Sequence, residues 1–166
     1  MDMSSFLALA MACAPDVHIG TTRALVQVES GFNPWAIGVV GGHLQRQPAT
    51  RAEGLATARA LHAQGWDFSV GLGQVNVRNF TRLGLTLETA FDPCTNLTAL
   101  QTILADCFER AAAAPSAPQA VQAALRQALS CYYSGNFTTG FVHGYVRKVV
   151  LSARRTPPAS TPKEKT

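Results

Sequence analysis

Two apolar stripes of matching length occupy the second half of this 166-residue chain and commit it to helix-on-helix packing. The first opens at Asp92-Pro93, an N-cap followed by proline at the first helical position, where a missing N–H costs nothing. Leu97, Leu100, Leu104, Cys107, Phe108 and Ala111 recur at intervals of three and four, which puts them on one face. Val121, Ala124, Leu125, Ala128, Leu129 and Tyr132 form the second stripe, ended by Ser134-Gly135. Residues 111–118 read as the turn between them, so the two helices are expected to pack antiparallel.

The remaining elements fall around this pair. Residues 4–13 read as a first helix stopped by Pro15. Thr21 or Thr22 is expected to cap a second, which ends in Glu29-Ser30 before the breaks at Gly31 and Pro34. Two short extended runs flank Gly41-Gly42, which predicts a two-residue hairpin within residues 36–47. Thr50-Arg-Ala-Glu53 has a capping-box pattern and opens a helix that Gly65 closes. Residues 66–74 read as a glycine-punctuated loop, followed by a short helix ending at Gly84. A last helix is expected over residues 141–152, and a flexible basic, proline-rich tail over 154–166. The expectation is one α+β domain over residues 1–153, predominantly helical, with a small β-hairpin.

Composition narrows the function classes. The chain is 47% hydrophobic and 14% charged, a globular balance, and its net charge is +4. Its cations are scattered except for Arg154-Arg155 in the tail, which predicts no nucleic-acid partner; a basic surface equally suits an acidic cell-wall polymer. No apolar run reaches the ~18–20 residues of a membrane span. Residues 6–14 are apolar like a signal peptide, but Asp2 stands where basic residues should precede, so they read as a domain helix and no export signal is evident. Cys13, Cys94, Cys107 and Cys131 permit two disulfides. A helix over 94–107 separates its end cysteines by about 20 Å, which excludes that pair. The readings left open are Cys13–Cys94 with Cys107–Cys131, Cys13–Cys107 with Cys94–Cys131, or four buried thiols; disulfides and an oxidising compartment are the expectation.

Metal and cofactor chemistry has no foothold. His18, His43, His62 and His143 lack ligand spacing to each other or to cysteine. Gly71-Leu-Gly73 is only a fragment of a dinucleotide fingerprint, and Ser30 has no local base. No cofactor is therefore expected. Glu29 stands out instead. It lies one helical turn beyond Leu25 and Val26, at the margin of an apolar face. Partial desolvation there raises a carboxyl pKa towards neutrality, as a general acid requires.

The order of the surrounding motifs carries a resemblance. Glu29-Ser30, Gly71-Leu-Gly-Gln74, Asp92-Pro93 with Asn96, Tyr132 and Tyr145-Val146 follow one another over residues 14–151. In this order they resemble family 1 lytic transglycosylases, lysozyme-like enzymes that cleave peptidoglycan. The Asp-Pro-Cys-x-Asn variant, with Ser-Gly-Asn136 downstream, looks most like those of type IV secretion and conjugation systems. The resemblance implies a lysozyme-like fold, a periplasmic location, peptidoglycan glycan strands as substrate and secretion-system components as partners. It implies Glu29 as the single acid and base, which attack by the muramyl 6-hydroxyl makes sufficient. Ser30 would orient substrate or Glu29. Gly71, Gln74 and Asn76 would meet the sugars, with Gly71 and Gly73 letting the main chain approach the polymer. Tyr132 would line the cleft, and Tyr145 would hydrogen-bond Glu29.

Two positions depart from that pattern. Gly73 replaces a methionine, and Tyr133 replaces an asparagine that would hold sugar. Restoring asparagine at 133 is expected to keep or improve cleavage. Two other readings stay open: a hydrolytic muramidase with Asp67 as second carboxylate, and a non-catalytic wall-binding module.

Overall fold

A computed structural model describes residues 1–113 and 120–155. Helix α1 (Met3–Cys13) starts at Asp2, whose carboxylate accepts from the Ser5 N–H at 2.9 Å. Helix α2 (Ile19–Glu29) is capped by His18 rather than by Thr21 or Thr22: His18 Nδ1 accepts from the Gly20 N–H at 3.1 Å. The helix thus begins earlier than expected, and Thr22 is buried inside it. Helix α3 (Arg51–Ala63) has the Thr50 cap, but the Glu53 carboxylate reaches back to Ala49 N–H instead of closing a full capping box.

The hairpin predicted around Gly41-Gly42 does not form. Strand β1 (Ile37–Val39) pairs antiparallel with β2 (Phe68–Val70), in the register Ile37 with Val70, and β2 pairs with β3 (Val75–Asn76). The side-chain amide of Gln47 takes the place expected of a strand on β1. Its Oε1 accepts from Ile37 N–H at 2.8 Å and its Nε2 donates to Ile37 C=O at 2.9 Å. The hairpin turn of this domain is Gly71–Gln74, inside the stretch expected to be loop.

A 3₁₀ turn (Val77–Asn79) leads into the short helices α4 (Phe80–Leu83) and α5 (Leu87–Ala90). Helix α6 (Pro93–Ala113) starts as predicted, with Asp92 Oδ1 accepting from Thr95 N–H at 2.8 Å. Helix α7 (Val121–Ser134) packs along it, with Ala124, Ala128 and Leu129 buried while Val121, placed on the stripe by spacing, is exposed. The predicted final helix is two, α8 (Thr139–Val142) and α9 (Tyr145–Arg154), parted by Gly144 at φ +73°. Most of the expected turn after Ala111, and the tail beyond Arg155, lie outside the described residues.

Both disulfides are present, Cys13–Cys94 and Cys107–Cys131, so the first of the two open pairings is the one adopted. They tie α6 to α1 at one end and to α7 at the other. Helix α6 also joins two cores. Leu97, Leu100 and Leu104 enter a helical core with α1, α2, α7 and α9, while Ala99 and Ile103 face a second core under the sheet and α3. The architecture is α+β and mostly helical, and it leaves the end of α2 beside the sheet.

Candidate active site

The chain reverses at the end of α2 through two consecutive left-handed residues, Gly31 at φ +57° and Phe32 at φ +64°. Phe32 is a non-glycine in that region, held by an edge-on contact of its ring with Phe6 at 4.9 Å. The turn leaves Glu29 at the foot of a cleft of about 720 Å³. One wall is the sheet, with Gly38, Val39, Asp67, Ser69, Gln74 and Asn76; the other is the end of α7 with α8.

The Gly71–Gln74 turn is fixed from three helices. Ser30 donates through Oγ to Leu72 C=O at 2.9 Å, Tyr132 donates to Gly73 C=O at 2.5 Å, and Asn96 Oδ1 accepts from Gly73 N–H at 2.8 Å. Asn96 also donates to Val70 and Ala90 carbonyls, at 3.0 and 2.8 Å, so a buried amide is fully satisfied. This explains why an asparagine belongs one turn into α6. Gln74, at φ +48°, donates to the carbonyls of Ala36 and Gly71, both at 3.0 Å.

The geometry gives the two glycines a different purpose from the expected close approach to a polymer. Gly71 and Gly73 are buried. Gly71 has φ +80°, and a Cβ there would strike Asn96; one on Gly73 would lie 2.9 Å from Leu100 and 3.0 Å from the Tyr132 hydroxyl. They make room for side chains of the protein's own helices. Ser30 likewise bonds backbone, Leu72 and Val26, rather than Glu29.

Glu29 is half-buried, and burial pushes its carboxyl up to about 7 while a hydrogen bond from Tyr145 pulls the other way. Burial and the neighbouring Glu29 carboxylate push the phenols of Tyr132 and Tyr145 up, so both stay protonated donors. Tyr133, nearly half exposed, stacks on the Tyr145 ring at 4.5 Å and 19° and shares a hydrogen bond of 3.2 Å with His143 Nδ1. His143 lines the cleft beside Tyr133, and no spacing in the sequence signals it.

Asp67 shares the cleft with Glu29 but is engaged, with Arg78 at 2.6 Å and the Asn76 amide at 2.8 Å. Asn76 in turn caps Arg78 N–H at 2.9 Å, so this side of the cleft is a knit of Asp, Asn and Arg. Among the described residues no group of three or more His, Cys, Asp or Glu stands together as metal ligands would. The arrangement is a cleft lined largely by polar side chains, with a carboxyl raised towards neutrality at its foot and braced by a phenol.

Residues 6–149 match the Transglycosylase SLT domain, and the chain belongs to that family. Among its relatives is the Type IV secretion system protein virB1 of Brucella abortus, 53% identical over 156 residues. Protein virB1 of Agrobacterium fabrum is 36% identical over 167 residues, and that of Rhizobium radiobacter 38% over 161. These matches cover 91%, 99% and 96% of this chain but only 65%, 66% and 65% of the relatives' own lengths. No solved structure gives a significant match.

Proposed function

We propose that this chain is a peptidoglycan lytic transglycosylase in which Glu29 is acid and then base. The observation that carries the reading is Glu29 itself: half-buried, raised to about 7 and held by Tyr145 in the cleft. The neutral carboxyl gives its proton to the glycosidic oxygen between N-acetylmuramic acid and N-acetylglucosamine, and the bond from C1 to that oxygen breaks. The glucosamine leaves with a free 4-hydroxyl. The Glu29 carboxylate then takes the proton of the muramyl 6-hydroxyl as that oxygen bonds to C1. The product is a 1,6-anhydromuramyl end, and Glu29 is protonated again. Gln74, Asn76, Tyr132 and Tyr133, on the two walls, hold the sugars, while Ser30 and Gly71 shape the turn.

Engagement of Asp67 by Arg78 and Asn76 supports an attacking sugar hydroxyl over a water activated by a second carboxylate. The name of the Brucella relative supports a place with a type IV secretion system, where the enzyme would open the wall in the periplasm. The two disulfides fit that compartment. The test is product analysis by mass spectrometry of digested peptidoglycan. Wild type and Asp67→Asn should both yield anhydro ends. Reducing ends from wild type, lost in Asp67→Asn, would establish the muramidase instead, and absence of any cleavage would establish a binding module.

A further inference from the structure

Charge is segregated along this chain. Residues 1–109 hold nine of its ten carboxylates, whereas residues 110–163 hold seven cations and no carboxylate at all. Four of the six arginines of the first part are ion-paired, Arg46 with Glu53, Arg59 with Glu88, Arg78 with Asp67 and Arg82 with Asp106, while Arg23 and Arg51 donate to the carbonyls of Ser152 and Glu88. On α9 the situation is reversed. Arg147, Lys148, Arg154 and Arg155 are exposed and make no ion pair among the described residues.

Their spacing puts them on one strip. Tyr145, Val146 and Val149 turn inward, and positions 147, 148, 151, 154 and 155 share the opposite arc of about 120°. The cations span about 12 Å of helix, so their potentials overlap at a Debye length of ~8 Å. Four unpaired cations held together repel one another. A compact domain keeps such a strip at a cost in stability that an anionic ligand would offset.

We propose that this face of α9 is a docking surface for the carboxylate-bearing peptide stems of the cell wall, outside the catalytic cleft. The proposal rests on the transglycosylase reading for its choice of polymer. Two observations favour a wall polymer over a lipid surface. The strip carries a single apolar side chain, Leu151, too little for an interfacial helix to insert. And α9 begins at the cleft: His143 lines it two residues earlier, and Tyr145 holds Glu29, so the strip lies on the same helix that braces the site. The surface would hold the enzyme on the insoluble wall while the cleft engages individual bonds.

The test is co-sedimentation with insoluble peptidoglycan sacculi across a salt series. It compares wild type with the fourfold variant Arg147→Gln, Lys148→Gln, Arg154→Gln, Arg155→Gln, whose folding is verified by its melting temperature. Wild type should bind with an affinity that falls as salt rises. The variant should bind at least about tenfold more weakly at low salt, with a flatter salt dependence. Sacculi whose carboxylates have been amidated should lose wild-type binding to the same degree. Equal binding by the two proteins, or undiminished binding to amidated sacculi, would overturn the proposal. So would wild type partitioning to phosphatidylglycerol vesicles in preference to sacculi, which would give the strip to a membrane. Cleavage of soluble glycan by wild type is scored separately. Its absence, with docking intact, would sink the catalytic reading and leave the surface standing.

Discussion

The phenol of Tyr145 donates its hydrogen bond to Glu29 across 116 positions of sequence, joining the first residue of α9 to the last of α2. Tyr133 covers the same phenol ring by stacking on it. A carboxyl raised by burial, and lowered by a hydrogen bond whose donor ring is itself stacked, can be tuned from either side.

Replacing Glu29 with glutamine removes the proton donor and keeps the shape. Peptidoglycan turbidity assays should show a loss of at least ~100-fold. Stability should move the other way. The folded protein holds the Glu29 proton up to about pH 7, whereas an unfolded carboxyl releases it near 4.5, so wild-type stability falls as pH rises through that window. Glu29→Gln lacks this fall. Thermal melts should show it more stable by about 1–3 kcal/mol above pH 7 and equal to wild type below pH 4.

Tyr145→Phe removes the bond that favours the carboxylate. Glu29 should then keep its proton to higher pH, and the alkaline limb of the pH–rate profile should shift upward. The rate at the optimum should fall by about tenfold or more through lost orientation. An unmoved limb would show that the bond does not act on Glu29.

Tyr133→Asn changes sign against the expectation drawn from family resemblance. Asparagine cannot cover the Tyr145 ring, so water reaches the Glu29–Tyr145 bond and weakens the desolvation that raises the carboxyl. The alkaline limb should move down, and cleavage at neutral pH should drop by roughly threefold to tenfold. Tyr133→Phe keeps the stack and should keep the limb of wild type.

Asn96 serves the turn, and its effect should appear in stability. Asn96→Ala strands Gly73 N–H and the carbonyls of Val70 and Ala90, three backbone groups with one buried partner. Urea unfolding should show a loss of about 3 kcal/mol or more. Activity should fall with it because the turn bearing Gln74 loosens.

Thiol titration of the denatured, unreduced protein from an oxidising host should find no free thiol. Removing Cys13–Cys94, which closes a loop of 81 residues, should cost about 4–5 kcal/mol. Removing Cys107–Cys131, which closes 24, should cost about 3.

The sequence by itself determined what is local. Asp92-Pro93 starts α6, Thr50 caps α3, Gly84 ends α4, and the spacing of Leu97, Leu100 and Leu104 selects the buried face, because caps and periodicity act within a few residues. The position of Glu29 at the margin of an apolar face was legible for the same reason. Tertiary structure decided everything that depends on partners far along the chain. It paired one edge of β1 with Phe68–Val70 and set the Gln47 side-chain amide on the other edge, where residues 43–47 were expected as a strand. It broke the final helix at Gly144, so that Tyr145 could turn inward to Glu29. It buried Gly71 and Gly73 against Asn96, Leu100 and Tyr132, where the family resemblance implied main chain open to a polymer. Hydrogen bonds between α2, α6, α7 and the β-turn join residues dozens of positions apart, and no window of sequence contains both ends of such a bond.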